Sequence, residues 1–219
     1  MRGSRAFAPY LAVVLAALCG APAIVVAASR THPDRVLVAV TTTRAAGPGS
    51  LADAIARANA AAGGATITFN IPPADPAHDR KLGIWTLSLG QPLPPLTGGR
   101  VTIDGTTQPR DSGKREPRGP AIALVAAAPA VDHALALVSA SNALIGIAVG
   151  GFKHGVVLYG KDATRNTVSD CFIGVSADGG TPAPNETGVV LVAGARGNTL
   201  VRNLISGNAS VGVYLGDKE

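Results

Sequence analysis

The stretch that decides the fold is Asn142-Ala-Leu-Ile-Gly-Ile-Ala-Val-Gly150, because the chain repeats its pattern twice more. The later copies are Asn166-Thr-Val-Ser-Asp-Cys-Phe-Ile-Gly174 and Asn198-Thr-Leu-Val-Arg-Asn-Leu-Ile-Ser206. The interval between the first two copies lies in the range typical of repeat proteins, in which each unit buries its apolar side chains only against its neighbours. Apolar residues alternate within each copy, which favours strands over helices.

A second short motif follows each copy. It occurs as Gly155-Val-Val-Leu158, Gly188-Val-Val-Leu191 and Gly212-Val-Tyr-Leu215. The interval from Gly188 to Gly212 equals that from Asn142 to Asn166. Short strands separated by turns at such a fixed interval predict the stacked rungs of a parallel β-helix, an all-β solenoid. The fold class predicted for the chain is therefore all-β.

Aligning the copies also predicts which side chains face inward. One inward ladder contains Leu144, Val168 and Leu200, and a second contains Ile147, Cys171 and Asn203. A shift of one residue would reverse every face, so this register is a sharp prediction. In the Gly-Val-x-Leu strands the alternate residues face outward, and these are Val157, Tyr159, Val190, Val192 and Tyr214.

One rung is longer than the others. The separation between Asn166 and Gly188 clearly exceeds that between Asn142 and Gly155, although both pairs join the same two motifs. The additional residues fall in Ser176–Glu186, which consists mostly of turn-forming residues and is predicted to be a loop. Insertions in solenoids map to loops, often on the binding face, although a plain surface loop is the commoner case.

The first residues have the pattern of a secretory leader. Residues 1–28 combine a short basic start, an apolar core and small residues suited to cleavage after Ala23 or Ala28. Removing them takes away Arg2 and Arg5, so the formal charge falls from +5 to +3. The sequence therefore predicts a secreted, periplasmic or cell-surface protein that has no membrane segment after cleavage and, with Cys171 as its one remaining cysteine, no internal disulfide.

The region between the leader and the repeats is predicted to form an N-terminal cap over residues 35–100, with rungs over 101–219. Ser50-Leu-Ala-Asp53 resembles a helix N-cap, and Leu51, Ile55 and Ala58 recur on one helical face. Such a helix would cover the open end of the stack, whose strand edges are otherwise unpaired. The chain ends directly after a predicted strand, so the stack is predicted to be either truncated there or open, with self-association through an uncapped last rung.

Two further segments carry a family resemblance. Pro48–Asn59 with Ala65–Asn70, and Val101–Pro109, resemble the entry region of secreted bacterial right-handed parallel β-helix proteins. The Asn-led rungs are similar to those of pectate-lyase-like folds. The resemblance spans roughly residues 35–219 and implies a right-handed parallel β-helix. It implies no single activity, because proteins of this group include lyases, hydrolases, epimerases and adhesins. In the lyases, the resemblance implies carboxylates that bind Ca²⁺ and an Arg or Lys base on one outer face.

Those catalytic patterns are missing from the repeats. No Asp-Asp or Asp-x-Asp pair occurs there, as paired carboxylate chemistry would require. The four histidines, at positions 32, 78, 133 and 154, have no metal-ligand spacing, so no metal site and no cofactor are predicted. Cys171 has no neighbouring base in the sequence and is interpreted as a buried side chain. No Lys/Arg cluster is dense enough for nucleic acid.

The function predicted from the sequence is binding of acidic polysaccharide or cell-surface glycan along an extended surface, without catalysis. The candidate ligand-binding residues are Tyr159, Tyr214, Lys161, Arg165 and Asp178. A polysaccharide lyase or related sugar-active enzyme with catalytic rungs beyond residue 219 is one alternative, to which the charged segment Gln108–Pro120 could contribute. An adhesin or passenger segment of a larger surface protein is the other.

Overall fold

A computed structural model describes residues 35–110, 119–128 and 131–217. The predicted leader, residues 1–28, lies outside the described residues. The helices of the described part are α1 (Leu51–Asn59) and a 3-10 turn (Gly105–Thr107). The strands are β1 (Val36–Val40), β2 (Ala65–Phe69), β3 (His78–Asp79), β4 (Ile84–Leu89), β5 (Val101–Asp104), β6 (Ile122–Ala126), β7 (His133–Leu137), β8 (Ala143–Ile145), β9 (Ile147–Gly150), β10 (His154–Tyr159), β11 (Thr167–Ser169), β12 (Phe172–Ile173), β13 (Thr187–Val192), β14 (Thr199–Val201), β15 (Leu204–Ile205) and β16 (Val211–Leu215).

The strands form three sheets that run along the stack. Sheet 1 has the order β1-β2-β5-β8-β11-β14, sheet 2 the order β3-β4-β6-β9-β12-β15, and sheet 3 the order β7-β10-β13-β16. All pairs between these strands are parallel except that of the short β3 with β4. Strands from the predicted cap region and from the rungs pair within the same sheets. Three parallel sheets that step together in register are the architecture of a parallel β-helix, which confirms the predicted fold class.

The predicted register is also confirmed. Val168 pairs with Leu144 on one side and with Leu200 on the other. Leu144 and Val168 are fully buried, and Leu200 packs against the same core from the last rung. In the second ladder Ile147 and Cys171 are fully buried, and Asn203 accepts a hydrogen bond from the Cys171 backbone N–H at 3.0 Å.

Helix α1 covers the first rung, as the sequence predicts. The Ser50 side chain accepts a hydrogen bond from the Asp53 N–H at 3.2 Å, which satisfies one of the free amides at the helix start. The Asp53 carboxylate in turn accepts from the Gly49 N–H at 3.3 Å. Leu51, Ile55 and Ala58 are buried in the main core, and the helix contacts β1 and β2.

The asparagine that opens each repeat has a structural function. The Asn142 side-chain oxygen accepts from the Val101 N–H, the Asn166 oxygen accepts from the Asn142 N–H, and the Asn198 oxygen accepts from the Asn166 N–H, all at 2.8–3.0 Å. The side-chain oxygen of each asparagine therefore satisfies a backbone N–H of the preceding rung at the corner between sheets. Asn142 and Asn166 are buried, so these bonds are shielded from water.

A second corner uses left-handed backbone. Gly146, Asp170 and Arg202 occupy the same place in their copies and have φ values of 63°, 56° and 55°. Glycine adopts this conformation without steric strain, and aspartate tolerates it better than most residues. The Arg202 guanidinium donates two hydrogen bonds to the Asp170 carboxylate, at 2.7 and 2.8 Å, and holds the pKa of that carboxyl below its usual range. Both side chains are exposed, so water screens the pair.

The glycines of the Gly-Val-x-Leu motif let neighbouring rungs approach closely. A Cβ built on Gly155 would lie 2.5 Å from the Gly188 carbonyl oxygen, and one built on Gly188 would lie 2.5 Å from the Gly212 carbonyl oxygen. These contacts are with backbone, which cannot turn aside as a side chain can. The glycine column therefore sets the spacing of sheet 3.

We expect Gly188→Ala to lower the free energy of unfolding by about 2 kcal/mol, because the added methyl group forces two rungs apart. The measurement is the shift of the chemical denaturation midpoint. Gly90→Ala is the matched control, since a Cβ at Gly90 meets no atom within 4 Å and its φ is not positive. Equal losses in the two variants would contradict the close-approach explanation.

The last described rung is less covered than the others. Leu215 is 74% exposed and Leu204 is 37% exposed, and the inward residues Leu200, Ile205 and Val213 are only partly buried. Self-association through this rung remains a prediction.

Candidate functional site

A long groove lies on the outer face of sheet 3 and has a volume of about 1010 Å³. Two segments from earlier in the chain line it beside the sheet. One is the turn after β1 with the start of α1, through Ala45, Ala46 and Ala52, and the other is the proline-rich segment 91–95. The second segment runs alongside β7, where the Leu93 N–H donates to the Ala134 carbonyl at 3.2 Å. Its prolines cannot donate hydrogen bonds, so it cannot extend the sheet as a regular strand.

The sheet 3 face of the groove is apolar over most of its length. Register pairing stacks Ala136, Val157, Val190 and Tyr214 in one column, and Tyr159 beside Val192 in the next. The outward residues predicted from the Gly-Val-x-Leu pattern all line this groove. Tyr159 is 41% exposed and Tyr214 is 48% exposed, so each ring offers surface to a ligand. Tyr214 lies two rungs from Tyr159 and two positions earlier along the strand direction, which places their Cα atoms roughly 12 Å apart.

The amino-terminal end of the strands makes the groove polar. His133, His154 and Thr187 are register partners on consecutive rungs, and all three line the groove together with Asp132. His133 Nδ1 lies 2.9 Å from the Asp132 carboxylate, and this hydrogen bond lowers the pKa of Asp132 below its usual range. Burial lowers the pKa of His154, which favours its neutral form.

Sequence reasoning missed this cluster. The spacings typical of metal ligands place two residues on one helix or one strand, whereas these two histidines lie on different rungs. The interval from His133 to His154 is nevertheless close to the repeat interval from Asn142 to Asn166. Comparing every pair of polar residues at about one rung of separation would have placed His133 beside His154.

The other three candidate residues lie outside the groove. Lys161 and Arg165 are exposed in the turn after β10, where Arg165 has a left-handed φ of 54° and the Lys161 carbonyl accepts from Arg196 at 2.9 Å. Asp178 lies in the inserted loop, where it accepts hydrogen bonds from Ser176 and from the Gly180 N–H. These bonds lower its pKa below its usual range. None of the three lines the groove that Tyr159 and Tyr214 share.

The inserted loop borders a smaller cavity of about 200 Å³ on the outer face of sheet 2. Its buried lining includes Ile84, Ala123, Ala148 and Ala177, which form a small apolar cluster outside the main core. Asp178 lies at its rim together with Asp79. The loop thus packs onto the sheet as a cover.

The described residues offer neither a reactive thiol nor a metal-binding cluster. Cys171 is fully buried, and desolvation raises the pKa of its thiol to about 12, which leaves it protonated and unsuited to nucleophilic attack. Within the described ranges, no three His, Cys, Asp or Glu side chains are grouped so that they could hold a metal ion. Of the charged segment Gln108–Pro120, residues 111–118 lie outside the described part.

Comparison with protein-family models, with curated proteins and with solved structures found no match. In residues 35–110, 119–128 and 131–217, no helix is long and apolar enough to span a membrane. The groove geometry and the sequence pattern are therefore the basis for an assignment of function.

Proposed function

We propose that the protein is exported and that it binds chains of neutral sugars in the groove of sheet 3. The observation that carries this proposal is the pairing of two half-exposed tyrosine rings with an apolar floor in one open groove. Export rests on the leader pattern in residues 1–28 alone.

The chemistry of the groove suits the faces of sugar rings. A pyranose ring has C–H groups on its faces and hydroxyl groups at its rim, so it packs on aromatic and aliphatic side chains while its rim stays hydrated. Tyr159 and Tyr214 each combine an apolar ring with a polar hydroxyl group. The valines between them and the prolines of the segment beside β7 supply apolar surface without charges that require a partner.

The charge of the groove favours neutral sugars over the acidic polysaccharides suggested by the net charge. Among the described residues that line it, the carboxylate of Asp132 is the one group charged at every pH near neutrality. Lys161 and Arg165, which could neutralise uronate carboxylates, belong to the turn beyond the groove. A polyuronate in the groove would bring its carboxylates near Asp132, whereas Lys153, the lysine whose charge acts on Asp132, does not line the groove.

The proposal is tested by isothermal titration with neutral hexasaccharides of glucose, mannose and xylose, and with pectate and alginate fragments of equal length. We expect Tyr159→Ala and Tyr214→Ala each to weaken binding of a neutral hexasaccharide about tenfold, since one stacked ring contributes roughly 1 to 1.5 kcal/mol. Tyr214→Phe should retain binding because it keeps the ring. Leu37→Ala, an exposed apolar residue on sheet 1, should have no effect.

Two outcomes would contradict the proposal. Tighter binding of pectate or alginate than of every neutral hexasaccharide would overturn the preference for neutral sugars. Equal affinity of the wild-type protein and both tyrosine-to-alanine variants would remove the groove as the binding surface.

A further inference from the structure

The polar end of the groove contains two imidazoles held in different ways. His133 and His154 lie directly beside each other in register, so their Cα atoms are about 4.8 Å apart, the usual strand separation. Thr187 continues the same column on the next rung. In each histidine the structure defines the surroundings of Nδ1. Whether Nδ1 carries the proton determines whether Nε2 of the same neutral ring accepts or donates a hydrogen bond.

His133 presents a hydrogen-bond acceptor to the groove. The Asp132 carboxylate, 2.9 Å from Nδ1, can only accept, so Nδ1 carries the proton. In the neutral ring the remaining nitrogen, Nε2, then has a free lone pair. Asp132 thus fixes both the tautomer and the orientation of the ring.

His154 presents a hydrogen-bond donor. Its Nδ1 is buried and has no hydrogen-bond partner among the described residues. An orphaned buried N–H is rarer than an orphaned acceptor, so Nδ1 is the unprotonated nitrogen and Nε2 carries the proton. The groups that face this ring are Asp132, Lys153, Glu186 and His133, and their effects are smaller than that of burial, which favours the neutral form.

We propose that His133 and His154 together bind two adjacent hydroxyl groups of one sugar residue at the end of the bound chain. One hydroxyl donates to His133 Nε2, and its neighbour accepts from His154 Nε2–H. Each sugar hydroxyl can both donate and accept. The oxygen of the first hydroxyl and the O–H of the second are therefore still available, and they can pair with each other or with Thr187. This inference rests on the proposed function and adds to it a specific subsite for a sugar with adjacent free hydroxyls.

The subsite also sets a minimum ligand length. His154 and Tyr159 are at opposite ends of β10, and the strand between them separates their Cα atoms by roughly 16 Å. A single sugar ring cannot contact both. Affinity should therefore rise with chain length until a ligand reaches from the histidines to Tyr159, and then remain constant.

Protonation of the histidines removes the combination of one acceptor and one neutral donor. A protonated His133 has no acceptor at Nε2, and a protonated His154 places a charge in a desolvated position next to Lys153. Because burial lowers the pKa of His154, its contribution to affinity should be complete at pH 8 and be lost only as the pH falls below the ordinary imidazole value of about 6.5.

The test uses the full chain and titration of the neutral hexasaccharides at several pH values between 4.5 and 8. We expect His133→Ala and His154→Ala each to weaken binding at pH 8 about fivefold to tenfold, as for loss of one buried hydrogen bond. In the double variant the pH dependence should disappear. His154→Gln keeps an amide donor and should retain more affinity than His154→Ala. Circular dichroism melts identify any variant that fails to fold.

The outcomes separate this inference from the proposed function. If the wild-type protein binds no neutral hexasaccharide, the proposed function fails, and the subsite fails with it. If the wild-type protein binds and the tyrosine variants weaken binding, but the histidine variants keep both the affinity and the pH profile, the subsite alone is overturned. A hexasaccharide that lacks one of the adjacent hydroxyls should bind the wild-type protein more weakly than the complete hexasaccharide does. The double histidine variant should bind the two hexasaccharides with equal affinity.

Discussion

Replacing Leu144 by alanine should lower the free energy of unfolding by about 3 kcal/mol, the middle of the range for Leu→Ala in a packed core. Leu144 is fully buried between Ile103 and Val168, which are its register partners and are themselves fully buried. The cavity left behind cannot be filled by a neighbour moving inward, because each rung is fixed by hydrogen bonds to the rungs on both sides. Chemical denaturation of the purified chain measures the loss.

Leu37→Ala is the matched control for this variant. Leu37 lies in a strand of the same sheet but is 69% exposed on its outer face, so its truncation should change stability by less than about 0.5 kcal/mol. A comparable loss in the two variants would mean that the inward ladder does not carry the stability of the stack.

The ladder could be predicted from the sequence because its two determinants are local. The alternation of apolar residues fixes the face of each strand, and the fixed interval between Asn142 and Asn166 fixes which residues stack. Neither depends on the path of the loops. The same reasoning located α1, whose cap and apolar face are both contained within a short segment that begins at Ser50.

The groove could be predicted only in part, since its walls come from distant segments. The outward positions of Tyr159 and Tyr214 follow from the strand alternation, which the sequence shows directly. The lining by residues 91–95 depends on how a proline-rich segment runs beside β7, for which the sequence has no periodic signal. Lys161 and Arg165 are close to Tyr159 in the sequence, but they lie in the turn after β10 and do not line the groove.

The polar end of the groove escaped prediction for a related reason. The spacings between successive rungs of sheet 3 are unequal, since Thr187 lies much farther along the chain from His154 than His154 lies from His133. The longer spacing includes the inserted loop, which leaves the sheet and returns to it. For Thr187, only the backbone pairing shows that it shares a column with the two histidines.

Asparagine and histidine therefore serve different ends of the same architecture. The asparagine ladder stabilises the corners through its side-chain oxygens, which accept from backbone N–H groups, although Nδ2 of Asn166 is buried without a partner among the described residues. The histidine pair faces the groove and leaves one nitrogen of each ring available.

Asn166→Ala should also lower the free energy of unfolding by about 3 kcal/mol, although it removes no apolar contact of comparable size. The Asn166 side-chain oxygen accepts from both the backbone N–H and the side-chain amide of Asn142, at 2.8 and 3.0 Å. Asn142 is buried, so its backbone N–H would lose its acceptor without gaining water, at roughly 1 to 3 kcal/mol, whereas its side-chain amide keeps the Ser139 carbonyl at 3.0 Å. The substitution also leaves a small cavity at the corner.

Two measurements distinguish this mechanism from a general loss of packing. Hydrogen exchange should accelerate most at the Asn142 amide, which loses its acceptor, while the Val101 amide keeps its bond to Asn142. Asn70→Ala, at an exposed asparagine just after β2, should leave stability within about 0.5 kcal/mol of the wild type. If Asn166→Ala unfolds at the same denaturant concentration as Asn70→Ala, the corner ladder is not a source of stability, and the repeated asparagines need another explanation.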